Sequence, residues 1–296
     1  MKDVKLLTPV VAPFAPFLIA PDDKILLMGS CFTEHIGTRL MQSGFVTMSN
    51  PYGITYNPLS MADAMLRGLD CKELEETDLV QRDGLWHSWH HHGAFSHADK
   101  SECLTACHES LVRFHAFLDG CDVVMLTFGS AWHYRLATSG MVVNNCHKVP
   151  SSSFTKQMAS VDQTVTAWMP VMKRLLAMGK RVVLTVSPVR HGAYGAHGNQ
   201  VGKAVLLLAI DQLLAAFADE GSRLYYFPAY EIMMDELRDY RFYADDMLHP
   251  SSLAVEIIWR RFQSALMSQQ TADACDLREQ ELRRSAHRPI HSSGNP

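Results

Sequence analysis

The chain has 296 residues, of which 47% are hydrophobic and 20% are charged, and its formal net charge is −4 at pH 7. This composition excludes a disordered or fibrous protein, because a chain of this length and hydrophobicity can bury a large core. The small negative charge provides no basic face, which argues against nucleic acid and anionic membranes as partners.

The start of the chain and its cysteines predict a cytoplasmic protein. The first apolar stretch is interrupted by Pro9, Pro13 and Pro16, and so lacks the continuous core of a signal peptide. No segment approaches the ~20 unbroken apolar residues of a membrane helix. The seven cysteines are an odd number without CxxC spacing, which favours free thiols in a reducing compartment.

Short apolar runs alternate with longer helix-periodic stretches, as in a parallel sheet covered by helices on both faces. The predicted strands are Ile25–Met28, Phe45–Met48, Val123–Phe128, Arg181–Val186 and Arg223–Phe227. The predicted helices are Thr33–Gln42, Glu102–Leu118, Phe154–Met178, Asn199–Asp219 and Ser252–Met267. The predicted fold class is α/β, a three-layer α/β/α sandwich around a central, mostly parallel five-stranded sheet.

Two stretches fall outside this alternation. Residues 50–101 mix glycines and prolines with aromatic and histidine residues, and we interpret them as long loops, which are uncommon unless functional. Residues 269–296 are polar and charged, which predicts a short helical extension and then a disordered tail. We expect one α/β domain over residues 1–268.

The first strand runs into the turn Gly29-Ser30-Cys31-Phe32-Thr33. Ser30 and Cys31 should therefore lie at the carboxyl end of a central strand, where ligands bind in open α/β sheets. The amides at the start of the following helix would lower a thiol pKa and donate to an oxyanion. The alternative is structural, with Ser30 and Thr33 capping the helix and Cys31 filling the core.

The last helix is preceded by Asp245-Asp246-Met247-Leu248-His249-Pro250. The spacing lets the Asp246 carboxylate fold back on His249, fix the imidazole tautomer and stabilise its protonated form. The pair suits a general base and its orienting group. Alone it would also fit a loop aspartate and a surface histidine, but its combination with a Ser-Cys turn at a strand end favours a catalytic centre.

The two turns resemble those of the SGNH (GDSL-type) hydrolase superfamily, and the whole chain resembles its GSCFA family, departing from the family motif only at Thr33. Further family-like stretches are Asn50-Pro51-Tyr52-Gly53, Tyr56-Asn57-Pro58, Thr127-Phe128-Gly129-Ser130-Ala131-Trp132, Asn145-Cys146-His147-Lys148, Val186-Ser187-Pro188-Val189-Arg190-His191 and the segment from Phe227 to Asp235. The resemblance implies a flavodoxin-like sheet and ester or acyl-transfer chemistry.

The resemblance also implies roles for individual residues. A gap-free match to the Gly-Asp-Ser-Leu turn gives Cys31 the position of the nucleophile and Ser30 that of the aspartate. Gly53 and the Cys31 amide would be oxyanion donors. The superfamily's Gly-x-Asn-Asp block is Gly-Ser-Ala-Trp in this chain, so Ser130 or Asn145 would have to replace the missing asparagine.

The segment Trp86-His87-Ser88-Trp89-His90-His91-His92 raises the hypothesis of a zinc site. Consecutive histidines diverge, however, and neither HExxH nor CxxC spacing accompanies them, so we predict no metal and no cofactor. We expect His92, His147 and Arg190 to contact substrate instead. Lys203, on the next predicted helix, is expected to face solvent.

The favoured function is hydrolysis or transfer of an ester-linked acyl group, such as acetyl, on a carbohydrate-type or other small-molecule substrate. The nucleophile would be Cys31 or Ser30, with His249 as base and Asp246 as orienting group. One alternative is a non-catalytic ligand- or glycan-binding module. Another is a metal-dependent hydrolase that uses the histidine-rich segment. No nucleic-acid or membrane partner is expected, and the oligomeric state is left open.

Overall fold

A five-stranded parallel sheet forms the centre of the structure, a computed structural model that describes residues 8–286. The strands are β1 (Lys24–Gly29), β2 (Val46–Ser49), β3 (Leu79–Arg82), β4 (Leu85–Ser88), β5 (Val123–Phe128), β6 (Trp132–Leu136), β7 (Val142–Val143), β8 (Phe154–Met158), β9 (Arg181–Val186) and β10 (Leu224–Tyr226). The helices are α1 (Cys31–Gln42), α2 (Pro58–Asp70), α3 (Lys100–Gly120), α4 (Val161–Ala177), α5 (Gly195–Ala216), α6 (Ala229–Glu231), α7 (Ser252–Leu266) and α8 (Gln269–Ala286).

The central sheet has the order β2-β1-β5-β9-β10, and all four pairings are parallel. Counting only these strands, this is the flavodoxin-like order 2-1-3-4-5. In the register, Gly29 pairs with Thr127 and Phe128 pairs with Val186. The residues that follow β1, β5 and β9 therefore meet at one edge of the sheet.

The two faces of the sheet carry separate apolar layers, because successive side chains of a strand point to opposite faces. Leu26 and Met28 pack in the layer that contains α2, α3, α4 and α5. Ile25 and Leu27 pack in the layer that contains α1, α6 and α7. The predicted three-layer α/β/α sandwich is confirmed. Within residues 8–286, no helix combines the length and the hydropathy required to cross a bilayer.

Residues 50–101 contain more regular structure than predicted. Helix α2 occupies Pro58–Asp70, and β3 and β4 form an antiparallel hairpin. The Asn57 side chain caps α2 by accepting a hydrogen bond from the Ser60 amide at 2.8 Å. The Asn-Pro pair that we interpreted as a loop is thus a helix start, with proline in the first turn, where its missing N–H costs nothing.

The predicted helix Phe154–Met178 is wrong over its first residues. Phe154–Met158 form strand β8, which pairs antiparallel with β6 in a small sheet that also includes β7. Helix α4 starts only after Ser160, whose side chain and that of Gln163 exchange hydrogen bonds with each other's backbone amides at 3.0 Å. This capping box sets the helix start.

Helix α8 occupies most of the predicted tail. Cys275 on its inner face is only 4% exposed, whereas Leu277 is 62% exposed. On neighbouring turns Asp276 pairs with Arg260 and Glu279 pairs with Arg39. The helix therefore docks on α7 and α1. Residues 287–296 and their predicted disorder lie outside the described residues.

Replacing Cys275 with aspartate should destabilise the protein, because it introduces a charge into the apolar contact under α8. We expect the free energy of unfolding in urea to fall by about 2 kcal/mol or more. The matched control, Leu277→Asp, should change it by less than about 0.5 kcal/mol, because it lies on the exposed face. Equal, small effects of both substitutions would contradict a docked α8.

Candidate active site

Three strand ends meet at the turn that follows β1. The Ser30 hydroxyl donates to the Ser187 hydroxyl, which follows β9, at 2.9 Å. A side chain at Gly129, after β5, would lie 3.4 Å from the Ser30 Cβ. Ser30 itself is only 1% exposed. Its hydroxyl thus ties the β1 turn to the β9 turn and faces away from solvent.

Cys31 is the first residue of α1, and its thiol is partly exposed. Burial raises the pKa of the thiol more than the hydrogen bonds from the Phe32 and Cys31 amides lower it, and Glu34 raises it further. The net direction is opposite to the lowering that we expected at a helix N-terminus. The thiol is therefore protonated at neutral pH, and a nucleophilic attack needs a base.

A base with its orienting carboxylate is present in the loop before α7. The Asp246 Oδ2 atom lies 2.6 Å from the His249 Nδ1 atom. The Asp246 Oδ1 atom accepts the amides of His249 and Leu248, each at 2.9 Å. The bonds from these two amides, followed by that from the imidazole, lower the pKa of Asp246 to about 2. The carboxylate thus stays charged and engages Nδ1, which leaves Nε2 of His249 free.

His249 lies beside the first turns of α1. Burial lowers the pKa of His35, and the charge of His249 lowers it further, so these two groups are close together. His35 stands four residues after Cys31 on α1, hence on the same helix face. No hydrogen bond joins the Cys31 thiol to His249 among the residues that the structure describes. Contacts of this kind often tighten only when substrate binds.

The Gly53 amide, which we expected to donate to the oxyanion, and two amides after β5 already donate to carbonyl oxygens. The Gly53 amide donates to the Asn50 carbonyl at 2.7 Å. The amides of Gly129 and Ser130 donate to the Tyr56 carbonyl at 3.0 and 2.8 Å. The Ser130 hydroxyl accepts the Trp132 amide at 3.2 Å. The amides of Gly53 and Ser130 therefore already have acceptors, whereas the Ser130 hydroxyl can still donate and the amides of Cys31 and Phe32 interact with the thiol.

Asn145 and His147 hold the β3–β4 hairpin. The Asn145 side chain accepts the His147 amide at 2.9 Å, and the Nε2 atom of His147 lies 2.8 Å from the Ser88 carbonyl oxygen. Burial lowers the pKa of His147 to about 4, so its ring is neutral. The residue of this segment that reaches the loop after Gly53 is Asn144, which donates to the Ile54 carbonyl at 3.3 Å.

His92 and Arg190 lie in separate loops, after β4 and after β9. The His92 side chain packs against Gly53, and its Nδ1 atom accepts the Ala94 amide at 3.3 Å. Arg190 donates its backbone amide to the Leu248 carbonyl at 3.0 Å, which links the β9 loop to the His249 loop. Its side chain adjoins two cavities, of about 460 and 270 Å³. Arg190 thus lines both cavities.

Two residues near Cys31 were missed or misjudged in the sequence. Lys203 is buried, not solvated, and the stripe formed by Leu206 and Ile210 on α5 places it on the core face, a spacing that could have revealed it. Tyr56 is 47% exposed, and burial, followed by the charges of Cys31 and Glu34, raises its pKa. The Tyr56 hydroxyl and the Cys31 thiol therefore interact through their charges.

The histidines of the segment 86–92 make separate contacts. His90 joins Asp63 at 2.9 Å and Asp78 at 3.3 Å. His91 contacts the Ser88 hydroxyl at 2.9 Å and stacks on Tyr52. Within residues 8–286, no three histidine, cysteine, aspartate or glutamate side chains converge as a metal site would require. The metal-dependent alternative has no geometric support in this part of the chain.

The five-stranded parallel sheet flanked by helices matches the fold that the resemblance to SGNH hydrolases implied. The chain belongs to the GSCFA family, whose model matches residues 24–262. The family assignment made from the sequence motifs is thereby confirmed. No curated protein matches the chain.

Several solved structures resemble the fold. A GDSL-like lipase from Bacteroides thetaiotaomicron is 12% identical with a TM-score of 0.42, covering 83% of this chain and 91% of its own. A carbohydrate esterase of family 3 from Talaromyces cellulolyticus is 11% identical with a TM-score of 0.37, covering 87% and 99%. An acetyl-xylooligosaccharide esterase from Geobacillus is 12% identical with a TM-score of 0.39, covering 83% and 97%. Since one fold hosts many activities, only the chemistry of the site bears on function.

Replacing His90 with glutamine should destabilise the protein more at low pH than at high pH. Burial opposes a charged ring, but hydrogen bonds to Asp63 and Asp78 outweigh it and raise the pKa of His90. The stability that its protonation provides is complete below the unfolded-state pKa and is lost as pH rises through the folded-state value. Urea unfolding of both proteins at about pH 5.5 and about pH 9 measures the difference.

The matched control for that comparison is His108→Gln, because His108 pairs with Glu73 on the surface. We expect a small effect at both pH values. A cost of His90→Gln that stayed constant or grew with pH would contradict the charged His90 described here.

Proposed function

We propose that the protein is an esterase-type enzyme that hydrolyses or transfers an ester-linked acyl group through a Cys31 thioester. Two features support this above all others: a partly exposed thiol at the start of α1, and a loop before α7 in which a carboxylate holds an imidazole that interacts with His35 of the same helix. The raised pKa of Cys31 makes such a base necessary. Thiol, imidazole and carboxylate together can perform nucleophilic acyl transfer.

The reaction follows from these positions. Nε2 of His249 removes the thiol proton as the Cys31 sulfur attacks the ester carbonyl carbon. The tetrahedral adduct collapses, the carbon–oxygen bond to the alcohol breaks, and the imidazolium returns the proton to the departing oxygen. Water, or an acceptor hydroxyl, then attacks the thioester with His249 again acting as base, and the thiol is regenerated. Asp246 stabilises the imidazolium in both halves.

Ser30 is the weaker candidate for the nucleophile. Its hydroxyl is buried and donates to Ser187, so an attack would require breaking the bond that ties two turns together.

The best candidates to donate hydrogen bonds to the oxyanion are the amides of Cys31 and Phe32 and the Tyr56 hydroxyl. The amides of Gly53 and Ser130 already donate to other acceptors.

A hydroxyl-rich, carbohydrate-type substrate fits the larger cavity beside Arg190 better than a long aliphatic one. Most of the side chains that line the larger cavity are polar or aromatic, namely Arg190, Gln200, Tyr230, Met234, Asp235, Arg238, Tyr240 and Tyr243. Tyrosine presents an apolar ring and a polar hydroxyl together, and such mixed surfaces suit a substrate that is both hydroxylated and ring-shaped.

Cys31→Ala should reduce the hydrolysis of p-nitrophenyl acetate by about 10³-fold or more, because the nucleophile is lost. Ser30→Ala, the matched neighbour, should retain activity within about tenfold, since it removes only the bond to Ser187. Labelling by a thiol-directed acyl probe should disappear in the first variant alone. A larger loss of activity in Ser30→Ala than in Cys31→Ala would indicate that Ser30 is the nucleophile. Binding of an acetylated glycan by wild-type protein without turnover would instead indicate a non-catalytic binding module.

Asp246→Asn should lower kcat by about 10²-fold or more with little change in Tm, because the group is at the surface and acts on the imidazole tautomer and charge. Asp245→Asn serves as the control, since this neighbouring aspartate is also exposed. Steady-state kinetics and thermal melts of the three proteins separate the two effects. Equal kcat values for both variants would exclude Asp246 as the orienting group.

A further inference from the structure

Lys203 lies buried behind the Cys31 turn. It is 2% exposed, and its Nζ atom donates to the Gly129 carbonyl at 2.8 Å and to the Ser187 carbonyl at 2.6 Å. Its Nζ atom also lies 5.3 Å from the centre of the Tyr230 ring. No carboxylate forms an ion pair with it among the side chains described. An amine in such a place is costly to keep charged without a counter-ion.

The group whose negative charge would act on Lys203 is Cys31. Ser187, one of the two acceptors of Lys203, accepts a hydrogen bond from Ser30, the residue before the thiol, and a Cβ added at Gly129, the other acceptor, would lie 3.4 Å from the Ser30 Cβ. Charge interaction runs in both directions, since a charged Lys203 lowers the pKa of Cys31 and a thiolate at Cys31 raises that of Lys203. Glu34 on α1 acts on the pKa of Cys31 in the opposite sense and more strongly than Lys203.

We propose that Lys203 is a positioning residue that carries the positive charge opposing the anion formed at Cys31, and that also clamps the Gly129 and Ser187 turns around it. The proposal rests on the proposed function, in which Cys31 is the nucleophile. Lys203 acts through Cys31 and the two carbonyls and does not touch the substrate.

The state of Lys203 suits this task. Burial lowers its pKa to about 7, so the amine is close to its titration point at neutral pH. A negative charge that develops at Cys31 favours the protonated amine, and the anion and cation then stabilise each other in a poorly solvated site. The other titratable groups that face the pair are Glu34 and Tyr56 beside the thiol, and Tyr230 and His191 beside the amine. Of these, His191 could add a second positive charge, and in the proposed reaction the imidazolium of His249 supplies another.

Lys180 provides a matched control. It is 6% exposed, and its Nζ atom donates to the carbonyls of Asp119 and Cys121 at 2.6 and 2.7 Å. It immediately precedes β9 and therefore lies at the opposite, amino-terminal edge of the sheet. Lys180→Met removes the same kind of buried amine, one that donates two hydrogen bonds to carbonyls, far from Cys31.

The test is the pH dependence of Cys31 alkylation by iodoacetamide, followed by peptide mass spectrometry, in wild type, Lys203→Met, Lys203→Gln and Lys180→Met. Both Lys203 variants should shift the midpoint of the profile upward by about one pH unit and slow alkylation at neutral pH about tenfold. Glutamine can still donate to a carbonyl and guards against misfolding of the methionine variant, and thermal melts establish that each variant folds. Lys180→Met should leave the midpoint unchanged.

An unshifted midpoint in folded Lys203→Gln would overturn the proposal, since the hydrogen bonds rather than the charge would then suffice. A shift of equal size in Lys180→Met would overturn it as well. The alkylation profile is independent of turnover. If the proposed function were wrong, ester hydrolysis would instead persist in Cys31→Ala, whatever the alkylation profile of the Lys203 variants.

Discussion

The parallel register of β1, β5 and β9 is the constraint on which the site depends. Gly29, the last residue of β1, pairs with Thr127 of β5, and Phe128, the last residue of β5, pairs with Val186 at the end of β9. The turns that follow these three strands therefore begin at the same edge of the sheet. The Ser30–Ser187 hydrogen bond and the Lys203 bonds to two carbonyls then fix those turns relative to one another. A shift of one residue in any of these strands would reverse its faces and move its turn away from Cys31.

The electrostatics of the site follow from its partial burial. Removal from water disfavours the thiolate more than the helix-start amides favour it, so the resting thiol keeps its proton. A protonated thiol reacts only after a base removes its proton. His249, whose tautomer is set by Asp246, is the proposed base and is partly exposed. No hydrogen bond joins thiol and imidazole among the described residues, which is consistent with a centre that is completed by substrate.

The sequence reveals the sheet because its strands are buried on both faces and read as continuous apolar runs. It also locates Cys31 and the Asp246–His249 pair, because each stands at the end of a regular element. What it cannot reveal is which amides are free. The carbonyl of Tyr56 accepts hydrogen bonds from the amides of Gly129 and Ser130, which are distant in sequence. No local sequence pattern predicts that contact. Helix α2 was missed because a proline was interpreted as a breaker when it stood at a helix start.

The central claim, a thioester at Cys31, is tested most directly by trapping the acyl-enzyme. The protein would be mixed with p-nitrophenyl acetate, quenched in acid within the first turnover and digested, and the acetylated residue identified by tandem mass spectrometry. The account predicts an acetyl group on the Cys31 sulfur that is removed by hydroxylamine. Product release accompanied by an acetyl group on Ser30 or Cys146, or by none at all, would contradict it.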